Sequence, residues 1–323
     1  MKLIIKAALL AAAALSSVTA ASAQEDLKVG AIYMDAQGFY AGVRKGIQDG
    51  AEDAGRNLVI VETNAQGDVS KESSFIDSLI SADVEAIIVS PVSADGSYRA
   101  IRRAHDAGIP VVCYNTCLND ADMKEYISAY AVGDPYDFGH KLGDAAADYF
   151  IAEGNDAPRI AVLNCEFVEV CITRREGFEE ALMARVPGAE IVANQEGATL
   201  DKAVSVATTM LTSNPDVDAF FGEAGGATLG AARAVRSQGR EGEVVVFGGD
   251  MTTEIAQELA DFTVIKGVVD ISGQGLGKLA LAQAIKSIDG TPPEGIRVPY
   301  DIDLYKSPED GKAWLEAHAD GIP

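Results

Sequence analysis

The sequence predicts an α/β protein of two lobes, each a parallel sheet covered by helices. Three observations lead there. Short apolar runs alternate with longer amphipathic segments along most of the chain, the rhythm of strands returned to one sheet edge by helical crossovers. That rhythm stops near residue 130 and restarts near residue 140. The 323 residues, 48% of them hydrophobic, suffice for two cores, since one domain takes roughly 100–200 residues.

The chain opens on a leader. Lys2 and Lys6 precede an apolar run from Ala7 to Leu15, and Ala21-Ser22-Ala23 is the small-x-small pattern of a secretory cleavage site. Cleavage is expected after Ala23, making residues 1–23 a signal peptide; the other reading is an uncleaved amphipathic first helix. The apolar run is short beside the roughly 20 residues of a membrane span, and no Cys follows the cut to carry a lipid. A soluble exported protein is expected. Lys and Arg number 26 against 49 Asp and Glu, a formal charge of −23, and such a field repels phosphates; nucleic-acid partners are excluded.

After the leader, LKVGAIY at 27–33 reads as a strand and 39–54 as a helix; NLVIVE at 57–62 is a strand and 71–81 a helix. EAIIVS at 85–90 is the next strand, stopped by Pro91, and a helix over 97–107 ends at Gly108-Ile109-Pro110 before a strand over 111–114. The second series has helices over 140–152, 174–185, 202–212 and 228–238 and strands over 159–163, 189–193, 218–221 and 244–247. Helices follow at 251–260 and 277–287. Residues 291–299 are rich in Pro and Gly, and 308–319 reads as a short surface helix.

Export allows the four cysteines to oxidise. Three complete pairings are open, and the local ones, Cys113 with Cys117 and Cys165 with Cys171, are expected; free buried thiols and a zinc site remain alternatives. Zinc has little support, because there is no CxxC spacing and no nearby His. His105, His140 and His318 are too scattered for a metal triad, so no metal site is assigned.

In open α/β sheets, ligands bind beyond the carboxyl ends of the strands. Phe39 and Tyr40 stand after the first strand and can cover an apolar ligand face. Asn64 and Gln66 follow the second strand, Ser90 and Ser93 bracket Pro91 after the third, and Tyr114-Asn115-Thr116 follows the fourth. In the second half, Glu166 and Phe167 follow one strand, with Arg174 at the next helix; Glu223, Asp250 and Asp270 follow three more. Arg174 either grips ligand oxygens or pairs with a carboxylate of the chain. Two carboxyls about 5–10 Å apart would suit a glycosidase, and Glu223 with Asp250 is the candidate pair. Glycines 222, 225 and 226 and the run Gly273-x-Gly275-x-Gly277 lack the order and the Lys of a phosphate loop, so no nucleotide cofactor is implied.

Five fragments, in order and each at a strand–helix junction, carry a resemblance: 29–32 leading to Gln37-Gly38-Phe39-Tyr40, 87–92, 107–112, Arg174-Arg175-Glu176-Gly177-Phe178, and Val246-Phe247-Gly248-Gly249-Asp250. Over nearly the whole mature chain the sequence resembles the periplasmic sugar-binding proteins of the ribose-binding type. The resemblance implies two Rossmann-like lobes joined by three crossings with a ligand cleft between them. The lobes would be residues 24–130 plus 271–298 and residues 131–270 plus 299–323. Crossings are expected near 129–133, 270–273 and 298–301. No catalytic residue and no cofactor follow from it. The implied partners are a small sugar or polyol, a membrane ABC permease and, as a further possibility, a chemotaxis receptor, with the protein a monomer. Phe39 and Tyr40 match the aromatic pair that sandwiches the sugar, Asp250 the family's acidic residue, and Asp270 falls near its Gln. Asn115-Thr116 stands where the family has Asp-Arg, and Ala224 where ribose binders often have Asn. The expected ligand contacts are Phe39, Tyr40, Asn115, Glu166, Arg174, Glu223, Asp250 and Asp270. These departures leave a small cationic solute open as an alternative ligand, and a glycoside hydrolase as an alternative function.

Overall fold

A computed structural model describes residues 26–36 and 38–323. The leader and Gln37 lie outside the described residues. Strands are β1 (Leu27–Tyr33), β2 (Leu58–Asn64), β3 (Ala86–Val89), β4 (Val111–Tyr114), β5 (Ala129–Val132), β6 (Arg159–Asn164), β7 (Glu190–Glu196), β8 (Ala219–Gly222), β9 (Val245–Gly249), β10 (Ile265–Asp270), β11 (Arg297–Pro299) and β12 (Asp303–Tyr305). Helices are α1 (Phe39–Asp53), α2 (Val69–Ser81), α3 (Tyr98–Asp106), α4 (Asp120–Tyr126), α5 (Pro135–Glu153), α6 (Glu169–Arg185), α7 (Leu200–Ser213), α8 (Gly225–Ser237), α9 (Thr253–Asp261), α10 (Gly273–Ile288) and α11 (Pro308–Ala317).

Two six-stranded sheets result, ordered β11-β5-β4-β3-β1-β2 and β12-β10-β9-β8-β6-β7. The first is wholly parallel; in the second only β12 runs antiparallel, against β10. Strand periodicity builds both faces of each sheet. On β1, Val29 and Ala31 pack toward Val43 of α1 and Leu276 of α10, while Ile32 packs toward Ile76 of α2 and Ile101 of α3. On β6, Ile160 and Val162 face Phe138, Leu142 and Phe178 of α5 and α6, and Ala161 and Leu163 face α7 and α8.

The chain leaves the first sheet after β5, returns to it after β10 and leaves again after β11. A Cβ on Gly133 would meet Ile271 Cδ1 at 2.6 Å and Ile302 Cγ1 at 3.1 Å, so the three crossings lie side by side. The first crossing is where the sequence reading needs correction. Residues 129–132 are a buried strand between β4 and β11, and the crossing follows it. The Pro/Gly-rich stretch ends in β11, where Pro299 is tolerated because the strand is at the sheet edge. Helix α4 and strand β12 also lie outside the predicted elements, and β10 begins at Ile265, ahead of the short apolar run before Asp270.

Several helices start earlier than their apolar periodicity suggests, because polar caps set the starts. Asp134 accepts from the amides of Tyr136 and Asp137 with Pro135 in the first turn, starting α5 ahead of the predicted His140. Ser272 caps α10 through the Gly275 amide, ahead of the predicted Gly277. No described helix is long and apolar enough to cross a membrane.

Candidate functional site

The carboxyl ends of both sheets converge on a cavity of about 770 Å³ between the lobes. Phe39 and Tyr40, in the first turn of α1, form its aromatic wall, ring against ring edge-on at 5.2 Å. The Tyr40 hydroxyl belongs to a chain whose direction can be worked out. Thr116 Oγ1 donates to the Pro91 carbonyl at 2.8 Å, so it accepts from Ser90 Oγ at 2.8 Å. Ser90 Oγ then accepts from Tyr40 at 3.3 Å, and the Tyr40 oxygen accepts from Asn115 Nδ2 at 3.3 Å. Burial holds the Tyr40 phenol above its ordinary pKa, which keeps it a donor. With Nδ2 committed, the amide oxygen of Asn115 remains as an acceptor on the cavity wall.

Asn115 is held firmly. Its φ of 57° lies in the left-handed region that Asn tolerates, its N–H donates to Ala131 O at 3.1 Å, and its carbonyl accepts from Tyr130 at 2.6 Å. Across the cavity, Asp250 also takes a left-handed φ, 61°, at the end of β9. Its Oδ2 accepts from the Gly225 N–H at 3.0 Å, and the side chain lines the cavity with Oδ1 as a further acceptor.

Arg174 supplies the donors. Its guanidinium lies 4.0 Å over the Phe138 ring, and Nη1 donates to the Glu223 carbonyl at 2.8 Å. The residue is only 6% exposed, Nε finds no partner, and no carboxylate pairs with it among the described residues. The ion-pair alternative fails for Arg174 and holds for its neighbour: Arg175 bonds Glu166 at 2.6 Å and Glu179 at 2.9 Å.

Three expected contacts do not line the cavity. Glu166 is drawn aside by Arg175 and by Asn194 Nδ2 at 3.0 Å. Glu223 is buried with Oε2 accepting from the Cys165 N–H at 2.8 Å, and Asp270 is buried with Oδ1 accepting from the Met251 N–H at 2.8 Å. Burial pushes Glu223 up to about 8 and Asp270 up to about 7. Both are internal braces for the loops that carry the site. Glu223 therefore does not face Asp250 across a substrate, and the glycosidase pairing fails on geometry.

Both cysteine pairs are bonded locally, each with Cα atoms 5.5 Å apart. One bridge encloses Asn115 and Thr116. The other encloses Phe167, which lines the cavity and is 61% exposed. Cys165, Cys171 and Glu223 gather closely, but sulfurs bonded to each other offer no thiolate to a metal. His105 sits beside Asp106, His140 beside Asp144, and His318 stacks on Trp314, well apart from one another. The expected contacts did not include Gln66, Ser93, Phe167 or Thr199, all of which line the cavity. Phe167 had a signal: an aromatic in a loop flanked by two cysteines.

Residues 31–292 match the periplasmic binding protein domain family. The chain belongs to that family. It is a periplasmic binding protein and not a member of a catalytic family. It is 57% identical to the ABC transporter periplasmic-binding protein YphF of Escherichia coli (strain K12), over 95% of this chain and 94% of that one. The ribose import binding protein RbsB of Salmonella typhimurium is 26% identical over 92% and 96% of the two chains. Among solved structures, one from Mycobacterium smegmatis in complex with beta-D-fucofuranose is 26% identical, with a TM-score of 0.81 and coverage of 91% of this chain and 95% of that chain. The binding protein's cavity thus lies in a fold used for capture and release of solutes.

Proposed function

We propose that this periplasmic binding protein captures a neutral polyhydroxylated solute, a small sugar or polyol, and delivers it to a membrane ABC permease. One observation carries the choice of ligand. Of the four carboxylates expected as contacts, Glu166, Glu223 and Asp270 are turned to protein partners; the cavity keeps Asp250 and Asp35, the latter exposed and accepting from the Ala36 amide, together with a buried Arg174 that opposes a cation. An aromatic wall, a donor fork and two acceptors, on Asn115 and Asp250, suit the CH faces and hydroxyls of a sugar. Phe167, on the opposite lobe from Phe39 and with most of its surface exposed, covers the second face of the ring when the cleft closes. A chemoreceptor, if one is served, would read the same closed form.

Native mass spectrometry of the purified protein, followed by calorimetry against pentoses, hexoses, polyols and small quaternary amines, tests this. One sugar or polyol is expected to bind with one-to-one stoichiometry and little salt dependence, and to return unchanged after denaturation. Phe39→Ala and Phe167→Ala should each weaken it by roughly tenfold, the loss of a stacked face. Strongly salt-dependent binding of an amine would overturn the neutral ligand, and time-dependent release of a product would overturn the binder.

A further inference from the structure

The cleft does not end at the aromatic cavity. A second cavity of about 370 Å³ adjoins it, the two sharing Thr116 of the first lobe and Val168 and Val170 of the second. It runs toward the crossings, lined by Val132, Asp134 and Pro135 at the first and by Pro299 at the third. When two lobes rotate about their crossings, atoms beside the axis move least and those at the open rim most. The second cavity therefore persists on closure, whereas the rim of the first narrows.

Its walls combine three kinds of chemistry. Arg297 lies over the Tyr130 ring, 5.4 Å from the centroid, and is steadied by Asp120 at 2.9 Å. Glu169 and Thr173, one turn apart on α6, stand on the second lobe. Valine and proline side chains supply aliphatic strips between them. Carboxylates of Asp134 and Glu169 outnumber the single Arg297, so an anionic substituent is opposed while hydroxyls find both acceptors and a donor.

We infer that the ligand has two parts, a disaccharide or a glycoside with a polar second unit. Its first ring fills the aromatic cavity, and its second unit passes Thr116 into the cavity beside the crossings. This rests on the reading of the cleft as a sugar site. Calorimetry with hexoses and pentoses, and with disaccharides and glycosides that share the same first ring, tests it on the full-length mature protein and on Thr173→Trp and Arg297→Ala. Wild type should bind the matching two-part ligand at least about tenfold tighter than the monosaccharide, the gain expected of a second satisfied subsite. Thr173→Trp, which fills the second cavity, should abolish that gain and leave monosaccharide affinity within about twofold. Arg297→Ala should reduce the gain without filling the space, and thermal melts of both variants confirm folding. A monosaccharide that binds as tightly as every two-part ligand, with both variants silent, overturns the second subsite and leaves the sugar reading standing. A panel in which nothing binds overturns both.

Discussion

Replacing Arg174 by Met should weaken ligand binding by roughly 100-fold while leaving the unliganded protein at least as stable, because the two effects have separate causes. Hydrogen bonds from a charged donor to ligand oxygens contribute about 1.5–3 kcal/mol each, and the guanidinium offers more than one. In the free protein the same cation is buried without a carboxylate, with Nε unpaired, and such a group costs stability. Met keeps the packing over Phe138 that Ala would lose. Arg175→Met is the control. It loses partly exposed ion pairs with Glu166 and Glu179, worth about 1 kcal/mol each, and should leave affinity within about threefold. Calorimetry and thermal melts on both variants separate the roles. If the two arginines prove equivalent in binding, or Arg174→Met melts far below wild type, Arg174 is a structural residue and the site has been misassigned.

The contrast between these adjacent arginines shows where sequence reading runs out. Phe39, Tyr40, Asn115 and Asp250 stand just past apolar runs, and in a parallel sheet that position alone aims them at the cleft. The lobes are legible for the same reason, since period-two burial on β1 and β6 follows directly from the residues. Which of Arg174 and Arg175 faces inward depends on the phase of α6, which begins at Glu169 rather than at Arg174. Glu223, Asp250 and Asp270 occupy similar positions at strand ends, yet only Asp250 reaches the cavity. The other two meet backbone amides of Cys165 and Met251. That outcome depends on how neighbouring loops pack, which no spacing within one strand reveals. The crossings were obscured in another way: β5 is four residues long and follows a helix of seven, both too short for periodicity to register.

Those two buried carboxyls should also give the protein an unusual dependence of stability on pH. Glu223 and Asp270 have folded-state values raised to about 8 and about 7, against roughly 4 in the unfolded chain, so folding takes up protons at both. Their stabilising contribution is complete below about pH 4 and is lost as the pH rises through 7 and 8, because the unfolded chain releases those protons more readily. Glu72, another buried carboxyl raised by burial, acts in the same direction. Carboxylates held low by arginine, such as Glu62 and Asp289, act oppositely, and only at acid pH. Between pH 5.5 and 8.5 the unliganded protein should therefore lose a few kcal/mol, about 1.4 kcal/mol per unit of proton release. Glu223→Gln imitates the protonated acid and keeps an acceptor for the Cys165 amide. It should match wild type below about pH 4, be ahead by about 1 kcal/mol at pH 5.5, gain roughly 3 kcal/mol more by pH 8.5, and leave a shallower slope due to Asp270. Chemical denaturation across that range reads the difference directly, and the shared surface charge cancels between the two proteins. A variant whose slope parallels wild type would mean that Glu223 ionises freely in the folded state, contrary to its burial beneath Cys165 and beside the carbonyl that positions Arg174.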